Sequence, residues 1–390
     1  MLRFYTAGES HGKCLIGFLE GLPAGLAIDR EFIDRQLRRR QLGYGRGGRM
    51  AIERDSAEIL TGVRHGKTLG GPISFMIANR DWENWRDSMS VDPVQEDADL
   101  RRVTRPRPGH ADLPGALKYQ THDVRDILER ASARETAARV AGGAFCRMLT
   151  GHFGVRIGSH VLAIGDARVA SEYENLPVGD VLALDDDQEL RCADRMAKRN
   201  MMMLIYDASN TGDTLGGVVE IVADAAPPGL GSHIQWDRRL DGRIAQAMMS
   251  IPSVKAVEIG DGVNGARNPG SRVHDPIYYV ADSKSFHRAT NRAGGVEGGI
   301  SNGEEIRARI YLKPIPTLRR SLMSVDVVSK NAFDAAVERG DVCAVPAAGV
   351  VGEAMLGIVL ADAFIEKFGG DSIKEMEENY EGYQRLLREY

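Results

Sequence analysis

Residues 347–368 are apolar on nearly every face of a helix and stop at Gly369-Gly370. A helix without a polar stripe cannot rest on a surface; it belongs in a core, with other elements around it. Glycine is the residue that most readily ends such a helix. The surrounding apolar stretch, 343–364, carries Pro346, Glu353 and Asp362, which argues for a buried helix and against a membrane span. The rest of the chain must supply the layers that enclose it.

A strand is expected at 14–22, ending before Pro23. A helix should follow from Asp29, a capping residue, with Phe32, Ile33 and Leu37 on its buried face. Strands are expected at 57–63 and 72–78, joined by a turn at His65-Gly66, and again at 155–164 and 216–222. At 305–313, Ile306, Ala308, Ile310 and Leu312 alternate with polar residues, as in a half-buried strand. Residues 126–153 read as one alanine-rich helix interrupted at Gly142-Gly143. Residues 372–390 read as an amphipathic helix that docks through Ile373, Met376, Tyr380, Leu386 and Leu387. Central helices with antiparallel-type strands make the class α+β, without saying how the sheets are arranged.

No Ser/Pro/Gln-rich linker divides the 390 residues, so one domain spanning 1–390 is expected, with 372–390 as its C-terminal helix. The 43% hydrophobic and 27% charged content is that of a soluble globular protein and excludes a disordered chain. A net charge of -5 means that any anion site must come from local clusters of arginine and lysine. Cys14, Cys146, Cys192 and Cys343 form no C-x-x-C pair, which argues against a disulfide framework or zinc knuckle and fits a reducing cytoplasm. The N-terminal MLRFYTAGESHGK has no apolar core of signal-peptide length.

Several segments carry chemistry. Arg38, Arg39, Arg40, Arg46 and Arg49 are interleaved with Gly43, Gly45, Gly47 and Gly48. Guanidinium forks suit phosphate and carboxylate oxygens, and glycines let backbone approach a ligand. The bland alternative is a solvated basic loop. The run 43–48 matches G-x-G-x-x-G by letter, but that fingerprint needs a strand before it and a helix after it; here a helix precedes and a strand-like run follows. Two glycine-flanked turns present a histidine: Gly8-Glu9-Ser10-His11-Gly12, and the stiffer Arg105-Pro106-Arg107-Pro108-Gly109-His110-Ala111-Asp112. Imidazole suits proton transfer near neutral pH; the alternative for each is a plain turn.

On a helix through Glu129-Arg130-Ala131-Ser132-Ala133-Arg134-Glu135-Thr136, Arg130 and Arg134 would share a face, as would Ser132 and Thr136. The alternative there is a surface laced with ion pairs among Glu129, Arg130, Arg134 and Glu135. Asp341, in Arg339-Gly340-Asp341-Val342-Cys343 just before the apolar helix, is either a helix cap or a base at the edge of a site. No P-loop, H-E-x-x-H or G-x-S-x-G motif occurs, and the histidine spacing indicates no metal.

Taken in order, these segments resemble the chorismate synthase family over nearly the whole chain. Residues 8–12 leading to Glu20-Gly21-Leu22-Pro23 resemble its first signature, Glu129 through Arg130, Ser132 and Arg134 to Thr136 its second, and 339–343 leading to Gly352-Glu353-Ala354-Met355 its third. Pro108 to Asp112, the turns at 213–217 and 297–303, and Lys313-Pro314 agree as well. Gly340 and Phe18 depart, standing where the family commonly has Ser or His and a smaller aliphatic residue; Gly340 is expected to loosen the turn that holds Asp341.

The resemblance implies a helical core sandwiched between β-sheets, a cytoplasmic homotetramer, and a 1,4-anti elimination of phosphate from 5-enolpyruvylshikimate 3-phosphate. Reduced FMN would be required without net redox change. It further implies that His11 protonates the leaving phosphate, with Ser10 beside it and Ser132 also in the catalytic set. His110 would supply a proton to the N1/C2-carbonyl region of the flavin, and Asp341 would face N5. Arg40, Arg46, Arg49, Arg107, Arg134 and Arg339 would bind substrate anions. Arg130, Ala131, Ser132, Gly298, Lys313, Pro314, Ile315, Pro316, Thr317 and Arg339 would line the flavin. Some family members reduce their own flavin; this chain carries no separate nucleotide-binding fold, so an external reductant is expected, with NADPH as its indirect source. A rival reading as an RNA-binding protein using the loop at 38–49 is opposed by the net charge and by the lack of interleaved aromatics other than Tyr44.

Overall fold

The apolar segment folds as the helix Val345–Phe368, with Pro346 in its first turn, where a missing N–H costs nothing. The computed structural model describes residues 1–47, 54–95, 100–184, 187–338 and 340–390. One side of the helix packs along the helix Thr136–His152, the other against strands Arg156–Ile164 and Gly217–Asp224. Those strands sit within a five-stranded sheet of order Val254–Ile259, Ile306–Leu312, Gly217–Asp224, Arg156–Ile164, Ala167–Arg168. A four-stranded sheet of order Arg3–Ala7, Cys14–Glu20, Ile73–Ala78, Glu58–Ile59 covers the far side of Thr136–His152. Every pairing in both sheets is antiparallel. The fold is therefore α+β, with helices between two sheets.

Small residues set how closely these layers approach. A Cβ on Gly143 would sit 2.5 Å from the Cβ of Ala354, so the two central helices touch backbone to backbone there. A Cβ on Gly349 would meet Ser159 Oγ at 2.7 Å, which brings the central helix onto the five-stranded sheet. Phe75 and Phe145, both fully buried, stack at 5.6 Å between the four-stranded sheet and its helix. Burying each ring contributes roughly 1.5–3 kcal/mol. By length and composition Val345–Phe368 could cross a membrane, but most of it is enclosed by the protein's own layers.

Several expectations need correction. The helix expected over 126–153 is three pieces, Arg125–Ala131, a single turn at Ala133–Glu135, and Thr136–His152; the break falls at Ser132, not at Gly142-Gly143. Those glycines continue the helix because Ala354 and the Phe4 ring leave no room for side chains. Arg38, Arg39 and Arg40 lie in the last turn of the helix Arg30–Gln41, so the basic loop starts only after Gln41. The turn at His65-Gly66, with φ of +50° and +72°, closes its own small hairpin of Val63–Arg64 and Lys67–Thr68. Strand Ile306–Leu312 is buried on both faces. Its polar face is covered because Arg307 and Arg309 both bind the buried Glu220, at 2.9 and 3.0 Å. In the helix Ile373–Glu389, Met376 is buried and Tyr380 packs on Phe153, Phe364 and Phe368, whereas Leu386 is exposed and does not dock.

Candidate active site

The first histidine turn joins Arg3–Ala7 to Cys14–Glu20. At Gly8, φ is +105° and a Cβ would lie 2.3 Å from the Cys14 carbonyl oxygen, so only glycine fits. Asn79 Nδ2 clamps the turn by donating to the carbonyls of Glu9 and Gly12, at 3.1 and 2.6 Å. His11 then meets Glu129 three ways: Nδ1 lies 2.9 and 3.0 Å from its two carboxylate oxygens, and the His11 N–H donates to Oε2 at 2.8 Å. The imidazole stacks on Trp85, with ring centroids 3.9 Å apart, and Arg101 and Arg125 lie over the same indole. Burial alone would push the Glu129 carboxyl up; hydrogen bonds from His11 and Arg125 outweigh it and hold the group below its ordinary value. Glu129 is thus an ionised acceptor at Nδ1.

Ser132 is extended (φ -64°, ψ 141°), and this break turns the chain between two tasks. Its Oγ donates to Ser10 Oγ at 3.1 Å and accepts from the Arg134 N–H at 3.3 Å. Before the break, Glu129 faces His11. After it, Arg134 is buried, its Nη1 bound to Asp55 at 2.6 Å and its Nε to Asn79 Oδ1 at 3.0 Å. Arg40 arrives from the helix Arg30–Gln41, donating to Thr136 Oγ1 and the Ala133 carbonyl at 2.9 Å each and lying 3.7 Å from Asp55. Arg40, Arg134, Ser10 and His11 are therefore tied to one helix break.

Beyond Gln41 the loop lies against the segment before the central helix: Val342 N–H donates to the Gly45 carbonyl at 2.8 Å. Asp341 accepts from the Gly47 N–H at 2.7 Å and pairs with Arg46 at 2.8 Å. It does not cap the helix, whose N-cap is Ala344 without a side-chain bond.

The second histidine turn is braced by one buried carboxylate. Asp112 Oδ2 accepts from the Arg107 N–H and Nε at 3.0 and 2.9 Å, and Oδ1 is hydrogen-bonded to His110 Nδ1. Burial would raise the Asp112 carboxyl, but the bonds from His110 and Arg107 and the arginine charge hold it well below the carboxylate range. Arg107 Nη1 also donates to Thr317 Oγ1 at 3.0 Å, and Lys313 Nζ donates to the Gly109 carbonyl. The 313–317 segment, held further by Thr214 Oγ1 on the Ile315 carbonyl at 2.7 Å, thus lies along the histidine turn. Glu338 reaches Arg125 at 3.4 Å, and Asp341 holds Arg46.

The chorismate synthase family model matches residues 2–365. The chain is 53% identical over 392 residues to the chorismate synthase of Solibacter usitatus (strain Ellin6076), and 54% identical over 396 residues to that of Geobacter sulfurreducens (strain ATCC 51573 / DSM 12127 / PCA); each alignment covers both proteins completely. A solved structure titled "Crystal Structure of Chorismate Synthase" superposes with a TM-score of 0.80 at 45% identity, covering 100% of this chain and 99% of that one. The chain belongs to the chorismate synthase family. It is accordingly a carbon–oxygen lyase of the shikimate pathway.

Against that family, the candidate residues fall into two neighbourhoods. His11, Ser10, Ser132, Arg40 and Arg134 gather at the helix break; Arg107, His110, Lys313 and Thr317 gather at the second turn, with Arg46 and Asp341 at the adjoining loop. Arg130 is exposed and donates to the carbonyls of Thr6 and Gly8, at 2.9 and 3.2 Å, beside Ala131 on the His11 side. Gly298 sits in a hairpin turn, its carbonyl accepting from Arg239 at 3.1 Å. Arg49 and Arg339 lie outside the described residues. The sequence reading missed the carboxylates that hold these candidate residues, Asp55, Asp112 and Glu129 as a histidine partner, and also Asn79, Trp85 and Arg125. For Asp112 a signal existed, since it stands two residues after His110, and for Arg125 the i,i+4 spacing to Glu129; for Asp55, Asn79, Trp85 and the His11–Glu129 pair the partners are distant in sequence.

Proposed function

We propose that this chain, as a single catalytic domain, converts 5-enolpyruvylshikimate 3-phosphate to chorismate by 1,4-anti elimination of phosphate, and that it holds reduced FMN while doing so. The observation that carries the reading is the pair of histidines, each bound at Nδ1 by a buried carboxylate, with arginines beside both. The substrate carries a phosphate and two carboxylates, and guanidinium groups suit all three. Arg40, Arg46, Arg107 and Arg134 are the described arginines for that role, with Arg49 and Arg339 assigned by family resemblance.

Breaking the C–O bond builds charge on the departing phosphate, which neighbouring cations stabilise. His11, its Nδ1 on Glu129, protonates a phosphate oxygen from its other nitrogen, with Ser10 and Ser132 as adjoining hydroxyls. Asp341, paired with Arg46 at 2.8 Å, is the carboxylate that would take up a proton on the N5 side of the flavin.

The second turn fits a flavin. Gly109 has a φ of +79°, its carbonyl accepts from Lys313 Nζ, and Pro316 lies beside it, so an ammonium and a proline flank the turn. An apolar wall with a few placed donors suits an amphipathic ring system. Residues 313–317 together with His110 would hold the ring, with Arg130, Ala131, Ser132, Gly298 and Arg339 completing the lining. Reduced FMN, when bound, supplies electron density that eases cleavage of the allylic C–O bond and is regenerated. His110, its Nδ1 proton held by Asp112, faces the ring through Nε2, the nitrogen that gains and releases a proton. The reductant is external, with NADPH as its indirect source.

We further propose a cytoplasmic homotetramer. The outer face of the four-stranded sheet supports assembly: Tyr5 and Phe18 are exposed and directly opposite in register, and the exposed Ile16 pairs with Met76. Phe18, large for the family, enlarges that face. The deciding test is an anaerobic assay of phosphate and chorismate release. We expect release only with reduced FMN and no net flavin oxidation per turnover; equal release with oxidised FMN and no reductant would refute the reading.

A further inference from the structure

We infer that Asp112 is a positioning residue that sets the tautomer of His110, and so decides which ring nitrogen faces the reaction; the inference rests on the placement of His110 in the active site made above. Asp112 opens the helix Asp112–Tyr119 and is fully buried. Its two oxygens receive four donor contacts. Oδ2 takes the Arg107 N–H and Nε, at 3.0 and 2.9 Å. Oδ1 takes Arg107 Nη2 at 3.2 Å and His110 Nδ1. An ionised carboxylate only accepts, so Nδ1 must carry the proton, and the lone pair of the neutral ring stays at Nε2.

Arg107 Nη2 also lies 3.2 Å from His110 Nδ1. A guanidinium cannot accept, so this is no competing bond: two donors stand side by side because both point at Oδ1. Arg107 thereby reinforces the assignment. It fills the remaining acceptor capacity of Asp112, keeps the carboxylate ionised, and continues to Thr317 at 3.0 Å. His110 Nδ1, Asp112, Arg107 and Thr317 form one chain of hydrogen bonds that fixes both the ring plane and the proton.

The donor count predicts what an amide would do. Asparagine at 112 offers one acceptor oxygen. Two Arg107 donors converge on the Oδ2 position and one on Oδ1, so the amide oxygen settles at Oδ2 and its NH₂ replaces Oδ1. That NH₂ donates to His110 Nδ1, which must become an acceptor, and the proton moves to Nε2. A purely structural role, a carboxylate in the first turn of a helix, predicts some loss of stability and no change of tautomer.

The experiment is ¹⁵N NMR of the imidazole nitrogens in the ligand-free protein, with the ring neutral and His110 assigned from a His110→Gln sample. The inference expects protonated Nδ1 and bare Nε2 in the parent protein, and the reverse in Asp112→Asn. Turnover in Asp112→Asn should fall on the order of 10²–10⁴-fold, as when a proton-transfer group is lost, while FMN affinity stays within a few-fold. A proton on Nε2 in the parent, a proton still on Nδ1 in Asp112→Asn, or parental turnover in that variant overturns the inference. Should Asp112→Asn not fold, the parent's tautomer decides alone. Near-normal turnover in His110→Ala would instead overturn the role given to His110, a result separable from the tautomer.

Discussion

Glu353 makes the most quantitative test of how the site is supported. It sits on the central helix, fully buried, and its oxygens receive Arg39 at 2.6 and 2.8 Å, Arg147 at 2.8 Å and Ser159 Oγ at 2.6 Å. One carboxylate therefore joins both central helices, the five-stranded sheet, and the helix that carries Arg40. Glu353→Gln keeps the shape but removes the charge shared by two buried guanidinium groups and turns a donor toward donors. Breaking a buried ion pair from one side costs about 3–5 kcal/mol. Unfolding entropy of about 2.1 cal/mol/K per residue, over 390 residues, gives roughly 0.8 kcal/mol/K. The melting temperature should fall by about 4–6 °C, read by scanning calorimetry at pH 7. A shift under about 1 °C would refute the reasoning.

The same residue carries a pH signature. Burial opposes ionisation of Glu353, but the charges and hydrogen bonds of Arg39 and Arg147 overcome it and bring the carboxyl down to about 2, from an ordinary value of 4.5. A lowered folded value means stabilisation that is complete above about pH 5 and is lost as pH falls from 4.5 toward 2; its size is roughly 3 kcal/mol. The gap between parent and Glu353→Gln should narrow through that window, with more than half of it gone by about pH 3. A gap that stays constant down to pH 3 would show that the carboxylate charge is not what matters.

Three more outcomes are expected. Arg46→Ala removes a charge-assisted contact worth roughly 1.5–3 kcal/mol, so substrate use should weaken about tenfold or more; unchanged kinetics at low and high salt would make the 42–47 loop an ordinary surface. Asp341→Asn keeps an acceptor for the Gly47 N–H but loses the base, so turnover should fall on the order of 10²–10⁴-fold while the melting temperature hardly moves; near-normal turnover would leave Asp341 only its hold on Arg46 and Gly47. Phe18→Glu combined with Tyr5→Glu places charges on the outer sheet face and should lower the assembly state in sedimentation velocity, whereas an intact tetramer would remove that face from the interface.

What could be read from sequence alone was whatever a single element settles within itself. The central helix is legible because it is apolar on every side, and the first helix because Asp29 accepts from the Phe32 N–H at 3.1 Å, as a cap must. Charge placement was not legible. Glu129, Arg130, Arg134 and Glu135 have the spacing of a surface ion-pair ladder, yet Glu129 serves His11 and Arg125, Arg130 serves carbonyls of Thr6 and Gly8, Arg134 serves Asp55, and Glu135 serves Arg139. Arg39 likewise reads as part of a basic loop, but its partner Glu353 lies 314 residues away. Because a buried guanidinium is tolerable only with a carboxylate beside it, these positions make sense only once the fold has chosen the partner.

Gly340 sharpens the point, since it reads as a departure that loosens the turn bearing Asp341. In place, a Cβ there would meet Thr317 Cβ and Cγ2 at 3.2 Å, and a Cβ on Gly47 would meet the Gly340 carbonyl oxygen at 2.8 Å. Two bare backbones thus let three segments stack: 313–317, the stretch before the central helix, and the basic loop. The stack ends in two hydrogen bonds, Arg107 to Thr317 on one side and Gly47 to Asp341 on the other. A larger residue at 340 would have to move Thr317, and with it the guanidinium that braces Asp112 and His110. Glycine here draws the His110 turn and the Asp341 loop together, so the entropy it loses on folding is offset by bringing these two segments into contact.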